Sequence, residues 1–171
     1  MSEFRYLTGR VVPIADRDVL DRIPRHHLPR CFGCGPENPD RLGVEVDFEG
    51  DKAVATIRFA PRFEGGPGLV HGGAVAAFFD DLIGFVPFAH QKPAVTAKLD
   101  VNYLQPVPLG WEMRGEAWLS SIEGRKLWAE AAGYGPDGSV MVEVGALFVQ
   151  VGAEHFTRAL ERAYRPDEYY P

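Results

Sequence analysis

Apolar positions along the chain change their period several times, and each change marks an element. In residues 42–59 they alternate on either side of a turn at Glu49-Gly50-Asp51, with Val44, Val46 and Phe48 answering Val54, Ile57 and Phe59, which predicts a hairpin. Residues 61–68 hold three glycines and two prolines and predict a loop. Nearly every position of residues 72–86 is apolar, the pattern of a helix buried on all sides, with Pro87 predicted to end it. The period then becomes two. Val95, Ala97, Leu99, Val101 and Tyr103 share one face and Thr96, Lys98, Asp100 and Asn102 the other, as in a half-exposed strand. After a break at residues 106–110, three more strands are predicted at 112–122, 125–134 and 140–151, turning at Glu123-Gly124 and Pro136-Asp137-Gly138. Residues 15–23 and 155–164 predict short surface helices.

Two strands, one long buried helix and four antiparallel strands predict an α+β fold in which a curved antiparallel sheet of about six strands wraps one central helix, with short N- and C-terminal helical extensions. The expected organisation is an accessory arm over residues 1–30, a central domain over 31–152 and a helical tail over 153–171. One helix leaves part of such a sheet uncovered, so side-by-side pairing of two copies is expected.

The 171 residues are 46% hydrophobic and 25% charged, as in an ordinary globular domain. Eighteen Lys and Arg against 24 Asp and Glu give a net charge of -6, which disfavours nucleic acid and anionic membrane surfaces as partners. No apolar run is expected to span a bilayer, and residues 1–13 lack the basic start and apolar stretch of a signal peptide, so a cytoplasmic protein is expected. Cys31 and Cys34 are too few for a disulfide framework. Zinc would need further ligands, and although His26 and His27 are near, no second pair at a metal-binding spacing follows. Nor does the region resemble a βαβ redox unit, so packed thiols and no metal are expected.

The run Val70-His71-Gly72-Gly73-Ala74-Val75-Ala76-Ala77-Phe78-Phe79-Asp80 resembles the signature of hotdog-fold acyl-CoA thioesterases. Cys31-Phe32-Gly33-Cys34-Gly35-Pro36-Glu37-Asn38-Pro39 resembles the loop before the first strand in the phenylacetate-type and carboxyl-terminal-modulator-like branch. The segments Val95 to Tyr103, Pro106-Val107-Pro108-Leu109 and Glu123-Gly124-Arg125-Lys126 resemble later parts of the same family. The resemblance covers about residues 28–150. It implies thioester hydrolysis to a carboxylic acid and free CoA, with CoA entering as part of the substrate and no separate cofactor.

The residues themselves suggest how. A helix start exposes unpaired N–H groups with partial positive charge, and glycine lets a carbonyl approach, so the Gly73 N–H, with Gly72, is the expected oxyanion donor. Asp80 is a carboxylate in an apolar helix, on a stripe of small residues with Gly73, Ala77 and Gly84. It matches the family's catalytic acid, as general base or nucleophile; Asp81 is expected to be a satisfied polar residue at the core edge. Seven residues of helix put Gly73 and Asp80 about 10 Å apart, too far for one carbonyl, so the site is expected to combine two subunits of a homodimer or homotetramer. The resemblance places Thr96 near the attacking water; an ordinary strand role stays open. His71 orients water or substrate, or closes a loop. Lys98, Arg125 and Lys126, with Arg58 or Arg62, are candidates for the CoA phosphates, although Gln105 stands where many relatives carry a basic residue. Phe79 and Asn102 join the substrate-binding set, and Phe78, Leu82, Phe85 and residues 63–69 the candidate acyl pocket. The alternative function is a non-catalytic hotdog protein that binds acyl-CoA as sensor or carrier; a dehydratase would need a histidine inside the helix, and residues 74–86 contain none.

Overall fold

The computed structural model describes residues 7–163. In chain order its main elements are β1 (Asp47–Glu49), β2 (Lys52–Arg58), α1 (Gly72–Ala89), β3 (Ala94–Tyr103), β4 (Glu112–Glu123), β5 (Lys126–Tyr134), β6 (Val140–Gln150) and α2 (Ala153–Ala163). Six strands form one sheet in the order β1-β2-β4-β5-β6-β3, and every neighbouring pair is antiparallel. The sheet wraps α1, as predicted. Phe78, Phe79, Leu82 and Ile83 of the helix are fully buried with Met113, Leu119, Leu127 and Val144 of the sheet.

Glycine on the sheet sets how closely the helix sits. A Cβ on Gly115 would lie 2.7 Å from side-chain atoms of Phe78 and Leu82. Gly115→Ala is therefore expected to cost about 1–3 kcal/mol by overpacking, read as a lowered denaturant midpoint at unchanged m-value.

Four expectations need correction. The first hairpin is shorter than predicted, because β1 covers only Asp47–Glu49. Leu42, Val44 and Val46 do alternate inward, but the backbone here pairs with the Cys31 to Cys34 loop instead of β2: Leu42 N–H bonds Phe32 O at 2.9 Å and Val44 N–H bonds Gly33 O at 3.0 Å. The central helix continues past Pro87 to Ala89, since proline removes only its own N–H and His90 N–H still reaches Val86 O at 3.3 Å. Beyond the C-cap His90, Gln91 adopts a left-handed φ of 54° that turns the chain away. The same helix, with 18 residues and a mean hydropathy of 1.4, is long and apolar enough to cross a membrane by composition. Its packing inside the sheet makes it a core helix instead.

The fourth correction concerns β3. It pairs only with β6, so it is an edge, and none of its residues is fully buried within the chain. A bulge shifts the register between Thr96 and Lys98, which pair with Phe148 and Leu147, leaving Ala97 as the extra residue. Thr96 and Lys98 therefore do not share a face. Thr96 turns toward α1, whereas Lys98 pairs with Asp100 at 2.6 Å on the outer surface beside Trp128.

Residues 8–12 run against the sheet. Val12 N–H bonds Leu119 O at 2.8 Å, and Thr8 donates its N–H and hydroxyl to the buried Glu130 carboxylate at 2.9 and 2.7 Å. The predicted helix over residues 15–23 is a 3₁₀ segment, Arg17–Arg22, and the 61–68 loop contains a short 3₁₀ turn, Pro61–Phe63. The tail helix α2 begins two residues before the predicted His155, and Tyr164 lies outside the described residues.

Candidate active site

The start of α1 is shaped by the loop before it. Glu64 and Val70 form an isolated bridge, and His71 N–H bonds Phe63 O at 2.8 Å, closing the glycine-rich loop onto the helix. Gly65 lies so close to His71 that a Cβ there would stand 2.8 Å from its Cα. His71 is the N-cap, and its Nδ1 accepts the Gly73 N–H at 2.9 Å. This corrects the expectation for Gly73: its N–H is engaged by the neighbouring ring. Among the described residues no acceptor bonds the Gly72 N–H. Gly72 O is held by the Tyr103 hydroxyl, which donates at 2.7 Å, and burial raises that hydroxyl above its ordinary pKa. A groove of about 270 Å³ opens beside this helix start, bounded by Phe32, Arg62, Phe63, His71, Gly73 and Ala74.

Asp80 lies two turns further on. Unlike the apolar residues around it, it is exposed, and Thr96 Oγ1 donates to its Oδ1 at 3.1 Å. The bulge at Ala97 makes this contact, because it turns Thr96 inward from an edge strand whose next polar residues face outward. A fixed donor on one carboxylate oxygen restrains the orientation of the side chain. Asp80 and Gly73 remain about 10 Å apart along the helix axis. The stripe of small residues is open at Gly73 and Ala77, but at Gly84 the His27 ring packs over it, 3.1 Å from where a Cβ would stand.

Other candidates are placed elsewhere. Phe79 has no exposed surface and stacks edge-on against Phe78 at 5.0 Å, so within this chain it is core and touches no open site. The same holds for Phe78 and Leu82, whereas Phe85, buried as well, borders a separate pocket beside Ile23, Pro24 and Phe48, away from the helix start. Strand alternation puts Asn102 with Asp100 and Lys98 on the outer side of β3, away from α1. Arg125 spends two guanidinium nitrogens on Gln150 O at 3.1 and 2.9 Å, next to the exposed Lys126, at the end of the sheet that carries Thr96. Arg58 bonds Gly110 O and pairs with Glu112. Arg62 is the candidate cation that borders the helix-start groove, and Gln105 is occupied with Val140 O. Tyr103 was missed as a site residue, although its place on the inward face of β3 was legible from the alternation.

Asp81 departs from expectation as well. It is only 7% exposed, its Oδ1 meets His27 Nδ1 at 3.0 Å and Cys31 Sγ at 3.1 Å, and its Oδ2 has no partner. Burial, with the Asp81 charge and Cys31 adding to it, raises the Cys34 thiol well above its ordinary pKa, against the lowering effect of the His27 N–H. That sets it apart from reactive thiols, whose surroundings favour the thiolate.

A helix held inside a curved six-stranded antiparallel sheet, entered through a His-Gly-Gly turn and carrying an exposed aspartate at its middle, defines a hotdog domain. Residues 67–142 match the thioesterase superfamily. Acyl-coenzyme A thioesterase THEM4 of Xenopus laevis is 32% identical over 117 residues, spanning 66% of this chain and 53% of that protein. A crystal structure of a thioesterase superfamily protein is 32% identical, with a TM-score of 0.67 over 73% of this chain and 63% of that one. A thioesterase protein from Streptococcus pneumoniae solved with coenzyme A, 17% identical, shares the fold with a TM-score of 0.60 over 64% of this chain and 86% of its own. This chain is similar to the thioesterase superfamily over residues 67–142. It spans about half the length of the curated relatives it matches.

Proposed function

We propose that the protein hydrolyses an acyl-CoA thioester to a carboxylic acid and free CoA. One observation carries this reading: the carboxylate standing exposed on a mostly buried helix is Asp80, and Thr96 holds it in place. The relatives' naming as acyl-coenzyme A thioesterases and the coenzyme A bound in the pneumococcal structure support the substrate class.

The scissile carbonyl oxygen sits at the start of α1, against the Gly72 N–H and the positive end of the helix dipole. Asp80 removes a proton from water, the water oxygen bonds to the carbonyl carbon, and the charge that develops on the carbonyl oxygen is stabilised by that donor and the dipole. Collapse of the tetrahedral intermediate breaks the carbon–sulfur bond and releases CoA thiolate. In the other route Asp80 itself attacks, and water then hydrolyses the anhydride. Because these groups are about 10 Å apart in one chain, the site takes its helix start from one subunit and Asp80 from the other. The unpaired edge of β3 offers ten residues of backbone for pairing with a second copy. Arg62, beside the helix-start groove, is the cation nearest to hand for the CoA phosphates.

Free-thiol release from short, medium, long-chain and aromatic acyl-CoAs tests the reading, with sedimentation run in parallel. Turnover by a particle of two or more chains is expected. Tight acyl-CoA binding without turnover would favour a sensor or carrier instead, and an active monomer would remove the shared site. Thr96→Val should lower kcat roughly 10–100-fold through loss of a hydrogen bond to a charged group, with Thr96→Ser close to wild type.

A further inference from the structure

Two residues of the loop at 31–39, one just before it and one on the central helix converge where neither strand spacing nor the thioesterase reading requires them. Cys31 Sγ, Cys34 Sγ, His27 Nδ1 and an Asp81 carboxylate oxygen all lie within 4.8 Å of one another. Cys34 Sγ is 3.6 Å from His27 Nδ1, which is 3.0 Å from Asp81 Oδ1. Cys31 Sγ is 3.1 Å from the same oxygen. A tetrahedral shell with metal–ligand bonds of about 2.0–2.3 Å needs ligand atoms about 3.3–3.8 Å apart, and the measured separations bracket that range. We propose that His27, Cys31, Cys34 and Asp81 form a closed, four-coordinate site for a divalent transition ion, zinc by its chemistry, that staples residues 27–34 to α1.

Three features favour a cation over a hydrogen-bonded core. Asp81 Oδ2 is buried and unpartnered, although a buried carboxylate oxygen without a donor is costly. A metal ion bonded to this carboxylate compensates its burial. Next, His27 N–H donates to Cys34 Sγ at 3.1 Å, the outer contact that offsets charge on a metal-bound thiolate. The surrounding backbone is also fitted to the cluster. A Cβ on Gly33 would collide with the Asp81 carboxylate, and one on Gly35 with the backbone of Pro29 to Cys31, so Gly33 lets the loop close on the helix and Gly35 lets it close on itself. The His27 ring is fixed by stacking on Phe85 at 4.0 Å and by the space over Gly84.

Two thiolates, an imidazole and a carboxylate are a zinc donor set. With four protein ligands there is no open position, so the ion is structural and takes no part in hydrolysis. Along the chain only the Cys31/Cys34 pair is visible as a ligand motif; folding brings His27 and Asp81 to it.

The test uses the whole protein, grown with zinc and purified without chelators or metal-affinity resin. One zinc ion per chain is expected by elemental analysis. Replacement by Co²⁺ is expected to give the intense visible bands of a tetrahedral site and thiolate-to-cobalt charge transfer in the near ultraviolet. Cys34→Ser and Asp81→Asn should lose the ion and the bands, whereas Asp80→Asn, one residue away, should keep both whether or not it turns over substrate. Chelation should lower the Tm of wild type. If the variants fail to fold, the wild-type cobalt spectrum decides alone. Substoichiometric metal, an octahedral cobalt spectrum, or a Cys31–Cys34 disulfide with no metal bound would each overturn the site.

Discussion

Asp80→Asn is expected to lower kcat for the best acyl-CoA substrate by about 10²–10⁴-fold, the range a positioned general base contributes. The substitution is nearly isosteric, and Asp80 is exposed, so no buried charge or packing is lost. Thr96 Oγ1 now donates to Asp80 Oδ1 at 3.1 Å and can donate equally to the amide oxygen of an asparagine. Stability should therefore change by no more than about 0.5 kcal/mol. That combination separates chemistry from folding: thiol release at saturating substrate should collapse while the thermal melt stays in place. A fully active Asp80→Asn would remove Asp80 from the mechanism in either role. A simultaneous loss of Tm and activity would mean that the carboxylate is structural, and would leave the thioesterase reading without its acid.

Much of this arrangement was legible in the sequence because it follows from periodicity. The all-round apolar pattern of residues 72–86 could only be satisfied inside a sheet, and the four strands after it alternate strictly enough to be placed within a residue or two. What stayed hidden depends on contacts between distant segments. Leu42, Val44 and Val46 have the alternation of a strand, but their backbone partner is a loop at residues 32–33, which no local pattern announces. The bulge at Ala97 reverses which of Thr96 and Lys98 faces α1, and it is set by the ladder with β6. The same limit applies to charge. Asp80 and Asp81 are adjacent and chemically identical, and the helix turn of about 100° between them puts one in the open beside Thr96 and the other in the core beside His27. Family resemblance favoured Asp80 from the motif, but nothing in the spacing linked Asp81 to a histidine 54 positions earlier.

Gly72→Pro should remove the proposed oxyanion donor with little other damage, at an expected cost of about 10²–10³ in kcat. Gly72 is the first residue of α1, where proline's fixed φ suits the helix and its missing N–H breaks no helical bond. The preceding His71 has φ -61° and ψ 130°, the extended conformation that a following proline requires. Gly72→Ala is the control: it keeps the N–H, and its Cβ would reach only van der Waals distance, 3.4 Å, from the Tyr103 hydroxyl oxygen. It should stay near wild type. The two lesions together then test whether the site is shared. If Gly72 acts in one subunit and Asp80 in the other, a mixed dimer of Gly72→Pro and Asp80→Asn chains holds one doubly damaged site and one intact site. Random pairing of equal amounts makes half the dimers mixed, so co-refolded protein should recover about a quarter of wild-type activity, although each variant alone is nearly inactive. If instead each site lay within one chain, every site would keep one lesion and mixing would restore nothing.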